Sequence, residues 1–174
     1  MINPSLADIQ LNSGQTLLDL TQEKPVMLVF LRHFGCIFCQ EALRDVSEKR
    51  QSIEAKGNEI VFVHMEANEL AEKYFTKHGL QPCLHISDPD CLLYQQFGLV
   101  KGSFSQLFGL STMVRGFQAG MSLKQFGGAA FGDAFQMPGI FILYKGEVEA
   151  EFVHEKISDR PDYIALLDCC TLDH

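Results

Sequence analysis

The chain has 174 residues, of which 47% are hydrophobic and 21% charged, and its formal net charge is −8. This length and balance predict a single domain, residues 1–174, that buries its own core without a disulfide framework. The acidic balance, with no cluster of about five Lys and Arg, argues against binding to a nucleic-acid backbone. No run of about 18 uncharged apolar residues occurs, so no membrane span is predicted. A basic segment followed by an apolar stretch is not visible at the start, which predicts a cytoplasmic protein.

Strand-like and helix-like patterns alternate along the first half of the chain. The run VMLVFL follows Pro25 and predicts a central buried strand, and the next segment places apolar residues at helical spacing. Near the end, Lys145-Gly146 joins two strand-like runs as a hairpin turn. The predicted elements are strand 26–31, helix 36–56, strand 60–65, helix 68–78, strand 84–86, helix 91–98, strands 139–144 and 147–153, and a helix from 159–161 to 167. This order predicts a thioredoxin-like α/β fold, a central mixed β-sheet flanked by helices.

Residues 99–137 fit neither half of this pattern. Together with Phe97 they carry half of the fourteen Phe residues, and their charges are few. Because the segment is too apolar for a disordered linker, we expect a Phe/Gly-rich insertion of short helices before the final hairpin. It should pack on the domain or form the contact of a homodimer. A membrane-surface or partner-binding segment is the alternative.

The stretch HFGCIFCQEALRDV, residues 33–46, places Cys36 and Cys39 between the first strand and the first long helix. They lie about one helical turn apart, at a separation that suits a disulfide. Free N–H groups and the helix dipole stabilise a thiolate there, and Arg32 and His33 offer further positive charge. This pattern predicts a redox-active dithiol in which the Cys36 sulfur is the more exposed.

Other uses of the two cysteines need further ligands. A zinc site would need two more, from converging Cys83, Cys91, His64, His78 or His85. An iron–sulfur site would need four cysteines, and an inert pair would be misplaced at a strand–helix junction. We therefore predict no metal and no cofactor. Cys83 and Cys91 should pack as small hydrophobic residues, and Cys169-Cys170 should lie in an exposed tail.

Three stretches, FLRHFGCIFCQEALRDV, SDPDCLLYQQFGL and MPGIFILYKGEVEAEFVH, carry a family resemblance. Together they resemble the peroxiredoxin-like branch of the AhpC/TSA superfamily, over about Gly14 to Leu167. The resemblance implies a thioredoxin fold, an oxidoreductase activity on hydroperoxides or disulfides, and an external thiol as reductant.

The sequence departs from both relevant motifs. Aligning the peroxiredoxin pattern P-x-x-x-T-x-x-C on Cys39 puts Arg32 at the Pro and Cys36 at the Thr. Aligning thioredoxin instead makes Cys36 the attacking thiol and Cys39 the resolving one. Phe30 then occupies the position of thioredoxin's buried acid, which leaves His33 or a water as the proton acceptor.

Pro138 precedes the strand GIFILY, where thioredoxin-like folds keep a cis-proline facing the dithiol. We therefore predict a cis Met137–Pro138 bond. The sequence as a whole predicts a thiol–disulfide redox enzyme that cycles between a Cys36–Cys39 dithiol and disulfide. The rival hypotheses are an interaction module that uses the apolar insertion and leaves the thiols idle, and a zinc-binding CxxC protein.

Overall fold

The computed structural model describes residues 5–102, 115 and 135–168. Its elements in chain order are α1 (Leu17–Glu23), β1 (Val26–Phe30), α2 (Ile37–Ala55), β2 (Glu59–His64), α3 (Asn68–Lys77), β3 (Leu84–Ser87), α4 (Leu92–Gln96), β4 (Gly139–Tyr144), β5 (Glu147–Val153) and α5 (Tyr163–Asp168).

The strands form one five-stranded sheet in the order β3-β2-β1-β4-β5. β1 pairs in parallel with β2, and β2 pairs in parallel with β3. β4 runs antiparallel to both β1 and β5. The parallel first half and the closing hairpin confirm the predicted thioredoxin-like arrangement, and all five residues of β1 are buried as expected of a central strand.

Each face of the sheet is covered by its own apolar core. On one face, Met27 and Val29 of β1 contact residues of α2, α3 and α5. On the other, Leu28 and Phe30 pack with residues of α1 and α4. The alternation of side chains along β1 thus assigns the helices to two layers, because successive strand residues point to opposite faces.

The helix α1 was not predicted. Thr16 caps it, since its Oγ1 accepts a hydrogen bond of 3.1 Å from the backbone N–H of Asp19. Leu17 and Leu20 then bury one face of the helix against the sheet. A cap residue followed three positions later by an acidic residue is a helix-start signal that the sequence does contain.

Two helices begin later than predicted because acidic side chains cap them. The carboxylate of Asp88 accepts hydrogen bonds from the backbone N–H groups of residues 92, 93 and 94, so α4 begins at Leu92. Asp162 Oδ1 accepts from the N–H groups of residues 164 and 165, so α5 begins at Tyr163. Carboxylates are favourable at helix starts, where N–H groups lack partners inside the helix.

The cis prediction for Met137–Pro138 is wrong. Among the described residues the cis peptide bond is Gln81–Pro82. The chain before Pro138 is extended, because it pairs with residues 100–102: Met137 N donates to Val100 O at 3.2 Å and Gly102 N donates to Phe135 O at 2.7 Å. A trans bond continues this extended run directly into β4.

Most of the predicted insertion, and the Cys169-Cys170 pair, lie outside the described residues. Arg115 is described: it is helical, and its Nη2 donates to Glu41 Oε1 at 2.6 Å. Glu41 belongs to α2, so this ion pair ties one point of the insertion to the helix that carries the cysteines. None of the helices in the described part of the chain is long and apolar enough to cross a membrane.

We predict that Gly139→Ala destabilises the fold by about 1–3 kcal/mol through overpacking. A Cβ at position 139 would lie 2.7 Å from Leu99 Cδ2 in the core. Urea unfolding should show a smaller cost of the same change in a Leu99→Ala background, where the clash is relieved. An equal cost in both backgrounds would contradict the packing explanation.

We also predict that His64 makes the fold sensitive to acid. Burial of the ring, followed by the neighbouring His85, lowers the pKa of His64 to about 3. As the pH falls below 6.5, His64 binds a proton in the unfolded chain but stays neutral in the folded state. The free energy of unfolding therefore falls by about 1.4 kcal/mol per pH unit through this group. The dependence of unfolding free energy on pH between 6 and 4 should be about one proton shallower in His64→Gln. An unchanged slope would refute this assignment.

Candidate redox site

The two cysteines lie at the start of α2, where β1 ends. Cys36 is the residue that caps the helix, with its backbone extended, and Cys39 lies in the first turn. Cys36 N donates to His33 O at 3.0 Å, which shapes the connection from the strand. The Cys36 residue is 8% exposed and Cys39 is 3% exposed. Cys36 is therefore the more accessible of the two, as the pattern predicts, although both are largely buried.

Arg32 places its positively charged side chain in hydrogen-bond contact with the Cys36 sulfur. Its Nη1 donates to Cys36 Sγ at 2.9 Å, and its Nε donates to Gln136 O at 3.1 Å. Gln136 is itself held in place, because its Nε2 donates to Leu99 O at 2.9 Å. Arg32 as a whole residue is 5% exposed, so water screens its charge poorly. The Cys36 sulfur therefore lies in hydrogen-bond contact with a buried cation, at the start of a helix.

Cys39 has the opposite electrostatic environment. Burial is the main cause that raises its pKa well above the ordinary value, and the negative charge of Cys36 raises it further. The Arg32 guanidinium acts in the other direction. Cys39 is therefore the thiol that burial holds in its protonated form.

His33 does not supply positive charge to the site. Burial first, and the Arg32 charge second, lower its pKa to about 4. The ring is neutral at pH 7, so the cation beside the thiols is Arg32. Within the described chain, His33 Nδ1 is buried without a hydrogen-bond partner.

A narrow cavity reaches Cys39 from the side of α5. Its walls include Arg32, Cys39, Pro138 and His154. Pro138 therefore lies close to the dithiol, although its peptide bond is trans. The cavity measures about 30 Å³, which is room for roughly one water molecule. Of the two cysteines, Cys39 lines this cavity.

Two further cysteines and a pair of histidines are described outside the CxxC segment. Cys83 is half-buried, and burial raises its pKa to about 12. Cys91 is buried before α4. His64 Nε2 and His85 Nδ1 lie 3.0 Å apart and share a hydrogen bond. In residues 5–102, 115 and 135–168, no three His, Cys, Asp or Glu side chains converge as metal ligands.

The sequence reasoning missed Glu66, which follows β2. Glu66 Oε1 is buried and has no hydrogen-bond partner in the described structure. The negative charge of Glu66 contributes to the raised pKa of Cys39. The sequence did contain a signal: Glu66 follows the buried strand β2 closely, at the edge of the sheet where β1 also ends.

We predict that Arg32→Met slows attack by Cys36 on a neutral aromatic disulfide by about 10–100-fold at pH 7. A hydrogen bond to a charged group contributes about 1.5–3 kcal/mol, and Met keeps the length of the side chain without the charge. The rate can be followed by absorbance in a Cys39→Ser background, with Lys73→Met as the control for loss of an exposed cation. Equal rates for the two variants would show that Arg32 does not activate Cys36.

Comparison with known proteins agrees with this fold. The model of the AhpC/TSA antioxidant enzyme family matches residues 45–156. Prostamide/prostaglandin F synthase of Salmo salar is 28% identical over 161 residues, which cover 90% of this chain and 78% of that protein. The family match begins downstream of Cys36 and Cys39, so it does not extend to the dithiol.

Solved structures resemble the chain over most of its length. The Xanthomonas campestris bacterioferritin comigratory protein superposes with a TM-score of 0.59 at 17% identity, covering 86% of this chain and 82% of that one. A Plasmodium vivax 2-Cys peroxiredoxin in its reduced form superposes with a TM-score of 0.60 at 10% identity, covering 92% and 88%. At such identities the likeness shows the fold, and it confirms the predicted one.

Proposed function

The chain belongs to the AhpC/TSA antioxidant enzyme family and is a peroxiredoxin-like oxidoreductase, and on that premise we propose that it reduces hydroperoxides through a Cys36–Cys39 dithiol cycle. The observation that carries the proposal is the 2.9 Å contact from Arg32 Nη1 to Cys36 Sγ. It places a buried cation on the more accessible sulfur, at the start of a helix. Both features favour a reactive thiolate.

In the first step, the Cys36 thiolate attacks the terminal oxygen of the hydroperoxide. An S–O bond forms, the O–O bond breaks, and the leaving alkoxide takes up a proton to become an alcohol. Cys36 is thereby oxidised to a sulfenic acid. The Arg32 guanidinium, 2.9 Å from the sulfur, is also placed to stabilise negative charge that develops on the peroxide oxygens.

Oxidation of Cys36 then activates Cys39. The negative charge of Cys36 contributes to the raised pKa of Cys39, and a neutral sulfenic acid removes that contribution. The Arg32 charge, which lowers the pKa of Cys39, remains. Cys39 loses its proton and attacks the Cys36 sulfur, an S–S bond forms, and the S–O bond breaks to release hydroxide, which leaves as water. An external thiol then reduces the disulfide.

The choice of a hydroperoxide is supported by a structural relative. The Xanthomonas campestris protein is described with alkyl peroxide reduction activity. A small or protein disulfide is the second candidate substrate, because two thiols one turn apart at a helix start also suit thiol–disulfide exchange.

We place the protein in the cytoplasm, where external thiols are abundant. We treat residues 1–174 as one domain, since strands from both halves share one sheet. A homodimer stays a prediction.

We predict opposite effects of the two cysteine substitutions. Cys36→Ser should abolish oxidation by a hydroperoxide, because the activated sulfur is gone. Cys39→Ser should still react once and accumulate a sulfenic acid at Cys36. Rapid mixing of the reduced protein with peroxide, followed by mass mapping, distinguishes these products, and Cys83→Ser is the control for loss of a thiol outside the site.

Accumulation of sulfenic acid at Cys39 in Cys36→Ser would reverse the assigned roles. Full activity of both variants, with peroxide and with a disulfide, would exclude the dithiol cycle. Failure of the wild-type thiols to react with either oxidant would favour the rival interaction module.

A further inference from the structure

Gln136 is a buried polar residue that lies beside the site and takes no part in the chemical steps above. The residue is 2% exposed. Its side-chain Nε2 donates to Leu99 O at 2.9 Å, and the same atom lies 3.3 Å from Met137 O and 3.5 Å from Val100 O. Because a buried amide is costly unless its hydrogen bonds are made, this side chain fastens its own backbone to the neighbouring stretch of chain.

The backbone of Gln136 is oriented by the ribbon that residues 135–137 form with residues 100–102. Lys101 and Gln136 lie opposite each other in an antiparallel bridge. The two hydrogen bonds of this bridge, at 3.2 and 2.7 Å, join the residues on either side of them. In such a pair, the N–H and C=O groups of the two opposite residues point away from the partner strand. The Gln136 carbonyl is therefore directed outward from the ribbon.

This outward carbonyl holds the guanidinium of Arg32. Arg32 Nε donates to Gln136 O at 3.1 Å, and Nη1 of the same group donates to Cys36 Sγ at 2.9 Å. The guanidinium is planar and its N–H groups form a rigid fork, so an acceptor that fixes the direction of Nε–H also fixes the direction of Nη1. An arginine side chain has many rotamers, and this contact restricts them before a substrate arrives.

We propose that Gln136 is a positioning residue, whose side chain holds its own carbonyl against Arg32 and thereby keeps the guanidinium on the Cys36 sulfur. The inference rests on the dithiol cycle proposed above, in which Cys36 attacks first. Gln136 acts on the reaction through Arg32, by two successive hydrogen bonds that lead from its carbonyl to the sulfur.

The rival explanation is that Gln136 only stabilises the ribbon. The two roles differ in what loss of the side chain changes. A structural loss lowers the free energy of unfolding and leaves the reactivity of the folded protein unchanged. A positioning loss slows attack by the folded protein, and it does so only while Arg32 is present.

The test measures attack of position 36 on a neutral aromatic disulfide, in the reduced full-length chain with Cys39→Ser as background. The Cys36 thiolate attacks one sulfur, an S–S bond to Cys36 forms, the aromatic S–S bond breaks, and an aromatic thiolate leaves. Mass mapping of the peptide that contains position 36 follows this reaction from pH 5 to 9. The variants are Gln136→Met, which keeps the length without the amide, Gln136→Asn, which keeps the amide on a shorter side chain, Arg32→Met, and the combinations of Arg32→Met with each.

Thr21→Val is the matched control for loss of buried hydrogen bonds. Thr21 is fully buried, and its Oγ1 donates to Leu18 O at 2.8 Å and accepts from Gly146 N at 3.2 Å. These bonds lie at the turn between β4 and β5, whereas Gln136 precedes the other end of β4. Thr21→Val should lower the unfolding temperature and leave the rate at position 36 unchanged. Thermal unfolding shows that each variant is folded under the conditions of the assay.

Gln136→Met should slow attack at position 36 by about 5–20-fold at pH 7, because the hydrogen bond of a charged group to the sulfur is weakened. The midpoint of the pH profile of this attack should move to higher pH. In the Arg32→Met background the same change should have no further effect, because two changes that act through one contact do not add. Gln136→Asn should lie between the wild type and Gln136→Met.

An unchanged rate and pH profile in folded Gln136→Met would overturn the positioning role, as would equal slowing with and without Arg32. If Gln136→Met does not fold, Gln136→Asn and its combination with Arg32→Met decide by the same comparison. Failure of the dithiol cycle is seen separately, with hydrogen peroxide and the wild type. Absence of sulfenic acid and disulfide there would refute the cycle, while slowing that depends on Arg32 would still support the positioning of the guanidinium by Gln136.

Discussion

The contact between Arg32 and Cys36 is the interaction on which the site depends. Arg32 follows the central strand β1, Cys36 caps α2, and Gln136 precedes β4, so one guanidinium joins three parts of the chain. Gln136 reaches this position because residues 135–137 pair with residues 100–102. The sheet, the helix start and this short ribbon must all form before the charge lies on the sulfur. In the proposed function, redox reactivity is therefore a property of the folded chain, not of the CxxC motif alone.

The two thiols have different surroundings, although both are buried. Both sulfurs lie in the same core and only one helical turn separates them, but Arg32 donates a hydrogen bond to Cys36 while burial keeps Cys39 protonated. The cavity that Cys39 lines measures about 30 Å³, roughly the volume of one water molecule. In the proposed cycle, the Arg32 contact with the Cys36 sulfur sets the order of the two steps. In the proposed cycle, the negative charge of Cys36 raises the pKa of Cys39 until oxidation removes that charge.

Local patterns predicted the fold well, whereas features set by distant residues were missed. The bounds of β4 and β5 agree with the structure, since apolar alternation and a Lys145-Gly146 turn with positive φ at both residues determine them locally. The trans bond at Pro138 depends on pairing with residues 100–102, and the neutral state of His33 depends on burial. Neither can be read from neighbouring residues. Glu66 lies 27 residues beyond Cys39, and only the register of β2 against β1 brings it to the same edge.

The central claim is that the reduced protein holds its reactive thiolate at Cys36 and not at Cys39. Isotope-coded alkylation of the reduced wild-type protein across pH 5–9, resolved by mass spectrometry of the peptide that contains both cysteines, tests this directly. The account predicts that Cys36 is modified first at every pH and that Cys39 stays almost unmodified until the protein is unfolded. Modification of Cys39 as fast as Cys36, or before it, would contradict the account.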